Sequence, residues 1–210
     1  MAELLWAHSA REVDGLRHGL ADHLRGTSWR AGAFGEIFGA GPLAAHCGLL
    51  HDVGKGTCQW QRGLIEAELS GGRVGIPHKH AGTWLLDRHG LGIMSAVVFG
   101  HHGGLPDRKR LKQELLYADE DPLVAEAIQK VAEIVPEIHP SAPIALPPWL
   151  PKAADADPYA LDLLVRMVYS AVVDADFLDT EEHFAAAPRP SHPVSASDLV
   201  ERFEKARQVL

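Results

Sequence analysis

Cysteine is nearly absent from this chain of 210 residues, which contains only Cys47 and Cys58. Their spacing matches no paired-thiolate motif, so neither a disulfide scaffold nor a zinc finger is expected. No apolar run approaches the roughly 20 residues that cross a bilayer, and no basic segment with a long apolar core follows Met1. We therefore expect a cytoplasmic protein with no membrane contact.

Positive charge is also scarce: 20 Lys and Arg stand against 28 Asp and Glu, for a net charge of −8. This balance argues against a protein that binds duplex DNA unaided, because affinity for phosphates comes from Lys and Arg releasing counterions. A nucleic acid would have to be presented by a partner or bound locally. The cluster Arg108–Lys112 could follow a DNA backbone or be a solvated helix face. Trp60 and Trp149 could stack on bases or pack in the core.

The hydrophobic pattern predicts an all-α protein, with no convincing strand. Apolar content of 46% is enough for one large domain, which we place over residues 1–187. Residues 188–210 would be a linker at Pro188–Pro193 and a C-terminal helix. The seven prolines between Pro136 and Pro158 predict a long ordered loop or a mobile lid. The predicted helices are Asp14–Phe38, Ala44–Leu50, His80–His89, Ile93–His102, Arg108–Tyr117, Leu123–Val135 and Leu161–Leu178.

Thirteen histidines are many for a domain of this size. A single histidine on an apolar face is more often a satisfied core residue, but several here share such a placement, at apolar faces or helix ends: His23, His51, His101 and His102. Imidazole and carboxylate donors without thiolates suit Mn, Fe, Co, Ni or Zn. Two such ions roughly 3.5–4 Å apart suit the cleavage of phosphodiesters.

A carboxylate in the predicted helix Leu161–Leu178 adds to this pattern. Asp174 projects with Leu163 and Met167 on a helix that is apolar nearly all round, so we expect it to be buried. Asp176 falls on a narrow polar sector that water can reach. A buried carboxylate must be protonated, hydrogen-bonded or bound to a metal. A hydrogen-bonded helix cap and a metal ligand both remain open for Asp174.

A family resemblance follows from the run Leu-Leu-His-Asp-Val-Gly-Lys at Leu49–Lys55, which resembles the His-Asp signature of the HD superfamily of metal-dependent phosphohydrolases. Taken together and in this order, further motifs resemble the HD nuclease of CRISPR type I interference: Trp6–Ser9, Asp22–Leu24, His78–Gly82, Gly100–Pro106 and Val173–Glu181. The likeness spans about residues 6–181. It implies an HD-superfamily helical domain with a binuclear metal site in the helix core.

Carried onto this chain, the resemblance implies two divalent transition-metal ions, Mn, Fe, Ni or Co, bridged by Asp52. One ion would be held by His23, His51, Asp52 and Asp174, and the other by Asp52, His80, His101 and His102. His78 is an alternative to His80, which we prefer because it begins a helix and stands at the position of the family's ligand. The catalytic residues would be Asp52 and Lys55. Lys55 would approach the scissile phosphate, or be a solvated lysine after the helix stop.

The family cleaves single-stranded DNA in antiviral interference, fed by a helicase subunit or domain and guided by an RNA-guided surveillance complex. Hydrolysis by an activated water needs no protein nucleophile, which agrees with the lack of a convincing Ser or Cys triad in the sequence. Two other classes stay open. One is an HD phosphohydrolase acting on nucleotides; the other is a non-catalytic HD module that docks on an RNA-guided complex.

Overall fold

The computed structural model describes residues 4–150, 157–185 and 195–208, and the fold over these residues is all-α. Two short antiparallel strands, β1 (Trp6–His8) and β2 (His18–Gly19), precede the helices. The helices are α1 Leu20–Glu36, α2 Gly41–Leu50, α3 Cys58–Ser70, α4 His80–Arg88, α5 Ser95–Gly100, α6 Arg108–Glu120, α7 Pro122–Ile134, α8 Pro158–Phe184 and α9 Ala196–Arg207. Within the described ranges, no helix has the length and apolar character that a membrane span requires.

Helix α2 lies at the centre of the core. It packs against α1, α4, α5 and α8, and α1 in turn packs against α8. The helix is short and almost wholly apolar, so it can be buried on every side, and Leu43, Cys47 and Leu50 are fully buried. Pro42 supplies the fixed backbone angle of its first turn. Since α2 ends at Leu50, His51 and Asp52, which follow it directly, lie in the protein interior.

Most of the predicted helices are confirmed. The helix predicted over Ile93–His102 is shorter, since Gly92–Met94 is a 3-10 helix, α5 ends at Gly100, and His101 and His102 lie in a turn. Two larger differences lie in the first third of the chain. The helix predicted from Asp14 begins at Leu20, because His18–Gly19 pairs with β1 instead. These strands are two and three residues long, too short to show the alternation by which a strand is recognised in a sequence.

Helix α3 is the second difference, since the sequence pattern does not predict it. Only Trp60, Gly63 and Leu64 are buried along it, so its apolar stripe is short. Its ends are nevertheless well defined: the Thr57 side chain accepts a hydrogen bond from the Trp60 backbone N–H, and Gly71 closes the helix at a φ of 68°. A left-handed residue of this kind is what commonly ends a helix.

The proline-rich segment is an ordered loop over its described part, residues 136–150. Ile138 is fully buried there, and Trp149 Nε1 donates a 2.6 Å hydrogen bond to the Phe38 carbonyl. The predicted linker Pro188–Pro193 lies outside the described residues, and the domain boundary at 187 stays a prediction. Helix α9 lies within the segment predicted to be the C-terminal helix, and the Ser195 hydroxyl accepts a hydrogen bond from the Asp198 backbone N–H.

Candidate metal centre

The His51-Asp52 pair lies directly after α2, and both side chains are fully buried. His51 Nδ1 donates a 2.7 Å hydrogen bond to the Gly48 carbonyl. This bond fixes the orientation of the ring and turns its Nε2 towards Asp52. The end of the central helix therefore points an imidazole nitrogen and a carboxylate at the same interior space.

The two oxygens of Asp52 face two different groups of histidines. Oδ2 lies 3.3 Å from the Nε2 atoms of both His23 and His51. Oδ1 lies 3.3 Å from His78 Nε2 and 3.4 Å from His101 Nε2. One carboxylate is thus shared by two potential ligand sets. The inner cluster is His23, His51, Asp52 and Asp176, and the outer cluster is Asp52, His78, His101 and His102.

The structure corrects the expected position of the carboxylate on α8. Asp174 is exposed, whereas Asp176 is buried, and Asp176 Oδ1 lies 3.4 Å from His23 Nε2. The prediction that Asp174 is buried is wrong because the side of α8 assumed to face the core, including Leu163, faces outward. A usable signal was present: Asp176 continues the stripe of Val168 and Val172 at four-residue steps, and that stripe is the buried one.

The structure also brings His78, rather than the preferred His80, to Asp52. His80 Nε2 lies instead 3.0 Å from Glu114 on α6, outside both clusters. The close approach of His78 depends on Gly54, since a Cβ on Gly54 would lie 1.9 Å from the His78 carbonyl oxygen. Nothing in the local sequence separates two histidines two positions apart, because the choice depends on this contact between distant segments.

Four of the five histidines in the two clusters are held through their other ring nitrogen, as already described for His51. His101 Nδ1 donates to the Val98 carbonyl at 2.6 Å, and His78 Nδ1 lies 3.3 Å from the Ile76 carbonyl. His23 differs because its Nδ1 contacts a carboxylate, Asp179 Oδ2, at 2.8 Å. Such partners orient a metal-binding imidazole and raise its basicity. Asp179 is a site residue that the sequence prediction missed, although it lies three residues after Asp176 on the same face of α8.

Several buried donors in the outer cluster fit a cation. Asp52 Oδ1, His78 Nε2 and His101 Nε2 are buried and have no hydrogen-bond partner. Buried polar atoms are normally paired, so three unpaired atoms around one point indicate a ligand. Their separations of 3.3–3.4 Å match the roughly 3.3 Å expected between donors about 2.0 Å from a common ion. The residues present therefore fit a divalent metal.

The electrostatics of both clusters favour a cation as well. Burial opposes a charge on His51, but the Asp52 and Asp176 carboxylates outweigh it and raise the pKa of His51 to about 10. A metal ion bound to His51 would displace that proton and balance the negative charge of the same two carboxylates. Burial lowers the pKa values of His78 and His102 to about 4, so both rings are neutral near pH 7, as metal ligation requires.

Lys55 lies beside the clusters and is not a solvated lysine, since it is only 4% exposed. Its Nζ lies 2.6 Å from Asp52 Oδ2 and donates to the Ala7 carbonyl at 3.1 Å. Burial alone would raise the pKa of Asp52, but the charges of Lys55 and His51 hold it well below its usual range. A groove of about 1010 Å³ reaches this point, lined by Lys55, Trp60, Glu68, Arg73, His78 and His102 among others.

No curated protein matches the chain significantly. The family model described as Cas3, HD domain, matches residues 1–173. The match includes every residue of both clusters except Asp176, which lies three positions beyond it. Since it covers most of the 210 residues and contains the His-Asp pair at the centre of the geometry, the chain belongs to the HD-domain family of Cas3.

Proposed function

We propose that this protein is a metal-dependent nuclease that hydrolyses phosphodiester bonds of single-stranded DNA in CRISPR type I interference. The observation that supports this most directly is the Asp52 carboxylate, which is shared between two clusters and paired with Lys55, a residue that lines a groove. A helicase subunit or domain would supply the strand, and an RNA-guided surveillance complex would direct it. The net charge of −8 agrees with a substrate that is presented rather than captured unaided.

Two bound ions, Mn, Fe, Ni or Co, would supply Lewis acidity, which lowers the pKa of water and stabilises charge on the phosphate. The chain supplies the rest. Asp52 belongs to both clusters and so fixes their relative position. Asp179 orients the ring of His23, and the carbonyls of Gly48 and Val98 orient the rings of His51 and His101. Preorganised donors of this kind need no rearrangement when substrate binds.

The groove positions the substrate in this proposal. Its lining includes exposed residues of the segment 71–73, so a strand can enter from solvent, and also His78 and His102 of the outer cluster. Lys55 also lines the groove and offers an ammonium group to a phosphate oxygen near Asp52. A compact cation on a flexible stem suits this role. A nucleotide phosphohydrolase would be expected to enclose its substrate more fully.

The test is cleavage of circular single-stranded DNA by metal-replete protein. Asp52→Asn preserves the shape of the side chain but removes the charge that both clusters share, so cleavage should fall below detection while the fold persists. Asp162→Asn is a matched control, because Asp162 is an exposed carboxylate that pairs with Arg166 on the surface. Equal cleavage by Asp52→Asn and the parent chain, with trace nuclease excluded, would contradict the proposal.

A further inference from the structure

Two cationic side chains from different elements lie near one aromatic ring. Lys79 Nζ lies 5.5 Å from the centre of the Phe99 ring, and Arg110 Cζ lies 5.3 Å from it. Lys79 immediately precedes α4, Arg110 belongs to the first turn of α6, and Phe99 is a buried residue of α5. The two charges can therefore be no farther apart than the sum of these distances, and the fold, not the sequence, brings them together.

The positive charge at this place is not balanced. Arg110 Nε lies 3.6 Å from Glu114 Oε1, but the other oxygen of Glu114 lies 3.0 Å from His80 Nε2. Among the described residues, Lys79 forms no salt bridge. Arg110 therefore has one carboxylate partner, which is also hydrogen-bonded to His80, while Lys79 has none among the described residues. Like charges placed close together destabilise a fold unless an anion joins them, and in a chain of net charge −8 the arrangement is unusual.

The pair borders the outer cluster. Lys79 follows His78 directly, and its Nζ lies 3.7 Å from the point that a Cβ on Gly103 would occupy. Gly103 follows His102, so the ammonium group lies against the turn that carries the His101-His102 doublet. An anion bound here would lie beside the place where the scissile phosphate must reach the metal ligands.

We propose that Lys79 and Arg110 form a phosphate subsite that binds a backbone phosphate next to the scissile one. The proposal rests on the proposed function, because it takes the substrate to be a polynucleotide with several phosphates. Lys79 would act as a compact point charge and Arg110 as a planar fork that can donate two hydrogen bonds to one phosphate. Arg108, Lys109 and Lys112 are exposed, as Arg110 is, but unlike Arg110 none of them lies over the Phe99 ring among the described contacts.

The test combines cleavage kinetics with binding of single-stranded DNA at several salt concentrations. For Lys79→Ala and Arg110→Ala we expect KM to rise several-fold with kcat nearly unchanged, because the side chain that is removed binds the ground state and the transition state alike. The slope of log affinity against log salt should become shallower by about 0.7 for each phosphate that the variant no longer neutralises. Lys79→Arg keeps the charge and should restore most of the affinity.

Two controls make the test specific. Lys109→Ala removes the same charge from the residue next to Arg110, on an exposed face, and should leave KM and the salt slope unchanged. Glu114→Gln keeps the hydrogen bond to His80 but removes the competing negative charge, so it should tighten DNA binding. That tighter binding would test the subsite even if one of the alanine variants failed to fold.

The outcomes separate this subsite from the proposed function. If the parent chain cleaves DNA while Lys79→Ala, Arg110→Ala and Lys109→Ala share one KM and one salt slope, the subsite is wrong and the nuclease stands. A parent chain that hydrolyses no DNA with any of the four metals overturns both. Turnover of bis(4-nitrophenyl) phosphate, which has no second phosphate, should be equal in all the variants; unequal turnover would contradict a role in binding.

Discussion

Asp174 and Asp176 lie two positions apart on α8, and their side chains meet opposite environments. Asp176 is buried in the inner cluster, whereas Asp174 points to solvent. Asp176→Ala should lower DNA cleavage by more than about 100-fold, because loss of a mere orienting partner already costs 10–100-fold. Asp174→Ala should stay within about twofold of the parent, as is usual for exposed substitutions.

The measurement is initial cleavage rate at saturating metal, with metal content determined on the same samples. The two substitutions remove the same group from one helix, so each controls for the other. The reverse ranking, with Asp174→Ala the more damaged variant, would mean that α8 presents a different face to the metal centre.

At the scale of the element, α8 carries both a candidate metal ligand, Asp176, and the carboxylate that orients a second candidate, His23. Asp176 and Asp179 are one turn apart, and Asp179 contacts His23 while Arg30 Nη1 and His18 Nε2 each lie 3.5 Å from its carboxylate. Asp179→Asn should weaken metal binding at the inner cluster by about 10–100-fold and leave the outer cluster nearly unchanged. Titration of the metal-free chain with Mn²⁺, followed by electron paramagnetic resonance, would resolve the two affinities.

A second substitution reaches the same carboxylate without touching it. A Cβ on Gly26 of α1 would lie 2.0 Å from Asp179 Oδ1, so Gly26→Ala must displace the carboxylate from His23 and should mimic Asp179→Asn. Glu182→Gln is the control, because Glu182 also pairs with Arg30 but is mostly exposed. If both clusters bound Mn²⁺ with unchanged affinity in Asp179→Asn and in Gly26→Ala, an orienting role for Asp179 would be excluded.

At the scale of the whole molecule, His46 links stability to pH at a distance from the metal centre. Its Nε2 lies 3.0 Å from His89 Nδ1, and burial, followed by the charge of His89, lowers the pKa of His46 to about 4. In the unfolded chain, His46 takes up a proton near pH 6.5, whereas in the folded chain it does so only near pH 4. Acidification from pH 6.5 to about 4 therefore lowers the free energy of unfolding, and below pH 4 His46 causes no further loss. The loss amounts to at most about 3 kcal/mol.

Replacing His46 should make the pH dependence of stability shallower. For His46→Gln we expect the free energy of unfolding to fall less steeply between pH 6.5 and 4 than in the parent, with little change in slope above pH 7. Urea unfolding at a series of pH values, with chelator present, gives the comparison. His139→Gln removes an exposed histidine whose ring centre lies 6.2 Å from that of His89, and so tests whether the effect requires the buried ring of His46. Parallel curves for His46→Gln and the parent would contradict the assignment.

How far the sequence predicts the site differs from one element to another. Helix α2 is apolar along its whole length and ends in His-Asp, so its burial and the delivery of His51 and Asp52 follow from the sequence. Helix α8 has apolar residues on several faces, including exposed Leu163 and Phe177, so its rotation about its own axis is not fixed by composition. Adjacent positions on a helix differ by about 100°, so an error in the rotation of α8 moves the predicted ligand from Asp176 to Asp174.

The sequence by itself determined the all-α class, most helix bounds, the His51-Asp52 pair and a donor set without thiolates, because these follow from local periodicity and from the chemistry of single side chains. The tertiary structure decided which members of near-equivalent pairs meet Asp52: His78 and not His80, Asp176 and not Asp174. It also brought Asp179 to His23 and Lys79 to Arg110. Such choices depend on contacts between residues far apart in the chain, such as Gly54 against His78, which local spacing does not encode.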